Sequence, residues 1–261
     1  MMLKDKVAVI YGAGGAIGGA VARGFAAEGA RLFLTGRHRA PVEAVAKDIV
    51  SADGSAEVAE VDVLDEQAVD RYLRYVVGQA DRIDISFDAI GIPGSQILGV
   101  PATDLDTEAF SLPIATYTTS YFVTARLAAR HMIPNRAGVI MTVTAFPARK
   151  GTPLNGGYGA AMAAKEALTR DLSAELAPQG IRVVSLRPHG IPETPTMKHI
   201  HELKTPGTSD EQFQAFLGRT THPRRTMTLA EVANVAVFVA SDQASGMTGT
   251  TVNLTMGALA D

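Results

Sequence analysis

The chain contains no cysteine and no tryptophan. The first absence excludes disulfides, thiolate nucleophiles and cysteine-ligated metal, and it fits a reducing compartment. Aromatic residues make up only 6% of the sequence, and the net charge is −3 with no long basic block. Nucleic acid and anionic membrane are therefore poor partners, and a small-molecule substrate is expected instead. No uncharged apolar run reaches the length and quality of a membrane span, so the expectation is a soluble cytoplasmic protein. His199-x-His201 is a spacing that diverges on a helix, and no carboxylate cluster completes a site, so no metal is expected.

What the chain does have is apolar residues and glycine. At 261 residues and 46% hydrophobic content it can bury a large core, and one domain spanning residues 1–261 is the expectation. The apolar run Val7-Ala8-Val9-Ile10 passes into a glycine loop and then into a helical stretch ending at Glu28. Gly29-Ala30 stops that helix, and Arg31-Leu32-Phe33-Leu34-Thr35 follows as a second strand. Lys4 and Lys6 ahead of the uncharged stretch could pass for a secretory leader, but its glycines make a poor apolar helix. Such a strand, loop and helix commonly hold a dinucleotide: glycines let the backbone approach a pyrophosphate, and the helix N-terminus offers unpaired N–H groups to it. The contact set is Gly12, Gly14, Ala16, Ile17 and Gly18, with the spacing Gly12-x-x-x-Ala16-x-Gly18 rather than Gly-x-Gly-x-x-Gly.

Strands are then expected over Ala56–Val63, Ile83–Ile90, Ala137–Thr144, Ile181–Leu186 and Thr250–Leu254. Helices are expected over Pro41–Val50, Ala68–Val77 capped by Asp65, Tyr117–Met132, Tyr158–Ala177 and Ala230–Ser241. This alternation predicts an α/β fold: a Rossmann-like, doubly wound parallel sheet with helices on both faces. Ligands bind beyond the carboxyl ends of strands in such sheets. That rule adds Asp62, Val63, Gly91, Pro188, Gly190, Ile191 and Thr194 to the expected cofactor contacts. Residues 191–225 lack a strong period and mix proline, glycine, histidine and charge, which suggests a mobile substrate lid.

NAD sites usually place a carboxylate at the end of the second strand. Here the strand ends Thr35-Gly36-Arg37-His38-Arg39, and a guanidinium suits a 2′-phosphate, so Arg37 points to NADP. A solvated basic turn is the alternative. Asp62 could accept a bond from the adenine amino group or simply cap a turn. His189, between Pro188 and Gly190, is either a substrate or proton-relay group or an inserted loop residue.

The combination of Tyr11-Gly12 to Gly18, Asp62-Val63, Tyr158 opening a long helix, Gly180-Ile181-Arg182-Val183 leading to Pro188 and Gly190, and Thr248-Gly249 followed by Val252-Asn253 resembles the short-chain dehydrogenase/reductase family over essentially the whole chain. The resemblance implies a nicotinamide cofactor and a homo-oligomer, tetramer or dimer. The family's common pattern has serine thirteen positions before the tyrosine, lysine four positions after it and asparagine on the preceding helix. Those positions read here as Ala145, Met162 and Thr116. The family's Asn-Asn-Ala-Gly reads Asp88-Ala89-Ile90-Gly91. Tyr158 matches, and Tyr158-x₆-Lys165 is similar to the spacing in the family's enoyl-acyl-carrier-protein reductases. Gapless alignment of the helix puts Lys165 one turn beyond the usual lysine, and a solvated lysine is the alternative.

Tyr158 as acid and Lys165 as ribose or electrostatic partner form the expected catalytic pair. An unperturbed tyrosine has a pKa of about 10, so about one in a thousand is ionised at pH 7. Without a neighbouring ammonium Tyr158 is a poor base but remains fully protonated as an acid, which predicts reduction of a carbonyl or conjugated enone. The alternatives are a cofactor-binding protein without redox activity, acting as sensor or assembly partner, and a non-redox enzyme reusing the cleft.

Overall fold

Short β-branched and apolar runs bounded by turn residues become strands, and the amphipathic stretches between them become helices. The computed structural model describes residues 1–260. Its strands are β1 (Val7–Tyr11), β2 (Arg31–Gly36), β3 (Ser55–Glu60), β4 (Ile85–Asp88), β5 (Gly138–Val143), β6 (Ile181–Pro188) and β7 (Thr250–Leu254). All neighbours pair in parallel, in the order β3-β2-β1-β4-β5-β6-β7. The helices are α1 (Ala16–Ala27), α2 (Arg39–Ser51), α3 (Glu66–Ala80), α4 (Thr107–Met132), α5 (Tyr158–Leu176), α6 (Pro195–Lys204), α7 (Asp210–Gly218) and α8 (Leu229–Ala240).

The pleat sends alternate strand residues to opposite cores. Ala8 and Ile10 face a layer containing Phe25 of α1, Val45 of α2 and Val237 of α8. Val9 and Tyr11 face Leu73 of α3, Tyr121 of α4 and Leu172 of α5. Fully burying one such side chain contributes about 1.5–3 kcal/mol, so a one-residue slip of β1 would exchange both faces at prohibitive cost. The doubly wound parallel sheet expected from the alternation is the one observed.

The chain runs outward through β1, β2 and β3, then returns to place β4 on the other side of β1. The crevice at that reversal, beyond the carboxyl ends of β1 and β4, is where open α/β sheets hold ligands.

Two elements differ from expectation. Helix α4 begins at Thr107 rather than Tyr117 and carries Pro113 inside it. Proline normally breaks a helix, but Asp106 caps this one by accepting from Ala109 N at 2.7 Å, and Pro113 is buried. Packing and capping override the local penalty. The segment 191–225 is not irregular: α6 and α7 occupy it. Thr194 caps α6, and Ser209 with Gln212 forms a capping box on α7. Each helix is short and fully buries little beyond Met197 or Phe213, too few apolar positions for a period to show. The two are joined by His201, whose ring stacks on Phe213 at 4.4 Å.

Candidate active site

Glycines at the end of β1 bring the backbone into contacts that no side chain would permit. Gly12 has φ +72°, and a Cβ there would lie 2.6 Å from the carbonyl oxygen of Ala89. A Cβ on Gly18 would lie 2.4 Å from the carbonyl oxygen of Gly12. Helix α1 follows with Gly15 as its N-cap, no side-chain cap and no acidic residue in its first turn. Its first N–H groups, at Ala16, Ile17 and Gly18, are left to an external acceptor. A tight glycine cradle at an uncapped helix start suits the pyrophosphate of a dinucleotide.

The remaining expected contacts divide by what their side chains do. Arg37 is exposed just past β2 with no ion-pair partner among the described residues, whereas Arg39 pairs with Glu43 at 2.6 Å. The register sets Glu60, the last residue of β3, opposite Gly36. A carboxylate thus comes to this edge from a neighbouring strand, which spacing along β2 cannot reveal. Asp62 is exposed and its Oδ1 accepts from Leu64 N at 3.0 Å, so it closes a turn. Val63 is 3% exposed and packs in the core. Around Gly91 the loop is open, with no atom within 4 Å of the point where a Cβ would stand. Pro188 ends β6; Gly190 lies under Met197, and Ile191 is 2% exposed. Thr194 caps α6, and its hydroxyl donates to Ile191 O at 2.9 Å.

A cavity of about 540 Å³ opens beside this edge. Ile17, Tyr158 and the segment Pro188–Ile191 line its floor, and α6 and α7 form its far wall. Tyr158 is the first residue of α5, and its N–H donates to Asn155 O at 3.1 Å. Its ring meets Tyr117 edge-on, with centroids 5.7 Å apart. Burial, and then the neighbouring Tyr117, push the Tyr158 phenol well above its ordinary value of 10. The Tyr117 phenol is pushed up to about 12, mainly by burial, and its oxygen accepts from Ile92 N at 3.0 Å. Helical register therefore brings Tyr117, rather than Thr116, against Tyr158.

Ala145 and Met162 join this corner as packing groups. Met162 is 2% exposed in an apolar cluster with Ile92, Ile97, Leu98, Tyr117 and Ala161, against which Ala145 and Tyr158 pack. No hydroxyl stands at residue 145 and no ammonium at residue 162.

Lys165 is not solvated, and the structure gives its ammonium to Asp88 rather than to Tyr158. Its Nζ lies 3.1 Å from Asp88 Oδ1, with the two side chains 0% and 1% exposed. The same Nζ sits 5.7 Å from the Tyr117 ring centroid and 5.5 Å from that of Tyr121. Seven residues beyond Tyr158 a side chain has returned to the same helical face but lies about 10 Å further along the axis. That rise carries Lys165 under the sheet edge, where Asp88 ends β4. The next residue, Glu166, accepts from Arg187 Nε at 2.8 Å and from Thr144 Oγ1 at 3.1 Å. These two buried pairs escaped sequence reasoning. Their signal is a charge inside an otherwise apolar run, Asp88 after Ile85-Ser86-Phe87 and Arg187 after Val183-Val184-Ser185-Leu186, since a buried charge needs a partner.

His189 is 7% exposed, with its ring edge-on to Phe146 at 4.9 Å. Burial holds its imidazole below the usual histidine range. His189 Nε2 and Thr220 Oγ1 lie 3.1 Å apart, and the buried Nδ1 has no hydrogen-bond partner among the described residues. Among the described residues no helix is long and apolar enough to cross a membrane.

A family described as Enoyl-(Acyl carrier protein) reductase matches residues 12–258. The chain is 30% identical over 258 residues to the 3-oxoacyl-[acyl-carrier-protein] reductase FabG of Rickettsia conorii, covering 98% of each. Its fold is similar to the solved structure of NAD+-bound xylitol dehydrogenase, with TM-score 0.91, 26% identity, and 98% and 100% of the two chains covered. It is also similar to a putative NAD(P) dependent gluconate 5-dehydrogenase from Beutenbergia cavernae with bound NADP, with TM-score 0.87, 27% identity, and 99% and 98% covered. A cradle that only glycine permits, a tyrosine at the head of α5 and a family match across nearly the whole sequence place the chain in the short-chain dehydrogenase/reductase family of oxidoreductases.

Proposed function

We propose that this protein is an NADP(H)-dependent reductase of a carbonyl or conjugated enone, with Tyr158 as the proton donor. The observation that carries this reading is the state of Tyr158. It lines the cavity, its phenol is held well above 10, and the ammonium seven positions along serves Asp88 instead. Such a group stays protonated at neutral pH and gives its proton to an oxygen or carbon that gains negative charge. It is a poor base for the opposite direction. The cofactor, when bound, supplies the hydride; Gly12 to Gly18 would hold its pyrophosphate and Arg37 a 2′-phosphate. Pro188, Ile191 and Thr194 would flank its nicotinamide end. Lys165 acts in this reading through Asp88 and the Tyr117 ring, as a positioning residue.

Arg37 supports NADP(H), and Glu60 opposite Gly36 is the group that would oppose it. Exposed Phe110, Leu112 and Phe122 on α4 support a homodimer or homotetramer. A second reading, a cofactor-binding protein without hydride transfer, is favoured by the apolar packing of Ala145 and Met162. Titrating NADPH and NADH by fluorescence and then following NADPH oxidation with ketones and enones separates the two. The reductase reading expects turnover that falls at least about 100-fold in Tyr158→Phe, the size of a general-acid contribution. Tight NADPH binding with no oxidation across the panel would favour the second reading, and tighter NADH binding would remove the case for NADP.

A further inference from the structure

We propose that the cavity takes an apolar carbonyl or enone compound bearing an anionic group, a carboxylate or a phosphate, with Lys204 as its principal anchor. The proposal rests on the reductase reading and adds to it the chemical class of the substrate.

Most of the cavity wall is apolar: Leu98, Phe146, Met197, Ile200, Leu203 and Phe216 line it. The charged residues that line it are all cationic. Lys150 comes from the loop after β5, Lys204 from the end of α6 and Arg219 from just past α7, and no aspartate or glutamate is in the lining. A wall of this kind sorts ligands twice: apolar surface binds the body, and a one-signed set of charges selects the sign of its polar end.

These cations are not drawn off by the protein. Among the described residues, the side chains of Lys150, Lys204 and Arg219 make no hydrogen bond or ion pair; Lys150 and Arg219 engage only through their backbones. Elsewhere the chain supplies acids readily, as in Arg31 with Glu57 at 2.8 Å and Arg225 with Glu231 at 2.5 Å. Lys204 stands out because it is half-buried and its pKa is lowered by burial. A cation that has lost water without gaining a counter-ion recovers the difference when an anion arrives.

The position of Lys204 separates this role from cofactor binding. Thr194, at the cofactor edge, caps the start of α6, and Lys204 is its last residue. Ten residues of helix place the two about 15 Å apart along the axis. The helix C-terminus itself favours a cation there, which accounts for a lysine at the position but not for a cavity wall that contains no acid.

The test displaces the neutral apolar fluorophore N-phenyl-1-naphthylamine from the NADPH-loaded protein, so its readout does not depend on turnover. Competitors of equal chain length are a medium-chain 2-enoic acid, its methyl ester and its coenzyme A thioester. The acid or the thioester is expected to displace the fluorophore about tenfold more tightly than the ester, as one charge-assisted contact provides. Lys204→Met removes that preference while leaving the ester's displacement unchanged, which shows that the cleft is intact. Lys204→Arg retains it. The acid outranking the thioester identifies a carboxylate as the anchored group, and the reverse order identifies a phosphate. An ester that binds as tightly as both anions, or a preference untouched by Lys204→Met, would overturn the proposal. Preferential anion binding with no NADPH oxidation for any competitor or for any ketone or enone of the panel leaves the anion site standing and defeats the reductase reading instead.

Discussion

Replacing Lys165 by methionine tests where its charge acts. In the wild type its Nζ is 3.1 Å from Asp88 Oδ1, and the two side chains are 0% and 1% exposed. Lys165→Met leaves a buried carboxylate whose other contacts are weak, Ile90 N at 3.4 Å and Thr124 Oγ1 at 3.5 Å. Breaking a buried pair from one side costs about 3–5 kcal/mol, because the remaining charge is neither solvated nor compensated. For a chain of this size that corresponds to a melting midpoint roughly 10 °C lower. Asp88→Asn combined with Lys165→Met removes both charges and keeps similar volumes, so the double variant should return to within about 1–2 kcal/mol of wild type. Urea unfolding of the wild type, both single variants and the double variant gives the coupling, expected at about 4 kcal/mol or more, since each single variant leaves one buried charge unpaired and the double leaves none. NADPH oxidation by the same four proteins adds the functional half. If Lys165 serves only through Asp88, the double variant regains turnover along with stability. A stable double variant without turnover would place Lys165 in direct service of Tyr158 or the cofactor. A Lys165→Met protein as stable as wild type would refute the ion-pair argument altogether.

Other consequences are as direct. Gly18→Ala puts a Cβ 2.4 Å from Gly12 O, and the loop shift it forces should raise the NADPH dissociation constant about 10- to 100-fold, measured by fluorescence titration. Arg37→Ala should weaken NADPH about tenfold and leave NADH unchanged; no loss for either would assign Arg37 to solvent, and equal loss for both would move its contact from the 2′-phosphate to a part the two cofactors share. His189 has a lowered folded-state pKa, so the unfolded chain binds more protons as pH falls through about 6.5. The stability it contributes is present above that pH and lost as pH falls toward the folded value. In His189→Gln the drop in melting midpoint between pH 7.5 and pH 5.5 should shrink, and an unchanged drop would show that His189 does not titrate with unfolding.

Parallel strands, the glycine cradle and the exposed Arg37 were legible in the sequence because each depends on local chemistry. Apolar runs of strand length, glycines that alone accept a close backbone and a turn without acid are all properties of neighbouring residues. Tyr158 was legible only through the family resemblance, which its place at the head of a long helix helps to carry. Helices α6 and α7 were not, because each is short and the His201–Phe213 stack that joins them spans two segments.

What only the tertiary structure decided is where the charges go. Spacing brought Lys165 to the same face as Tyr158, but β4 ends with Asp88 beneath that face, and desolvation makes the pairing of two buried opposite charges decisive. Residues 77 positions apart in sequence settle that choice. The same holds for Glu60 opposite Gly36, for Tyr117 against Tyr158, and for three cations drawn from separate loops and helix ends to one acid-free wall. Periodicity along one element fixes which face a residue occupies, whereas partners across elements follow from the packing of the whole sheet.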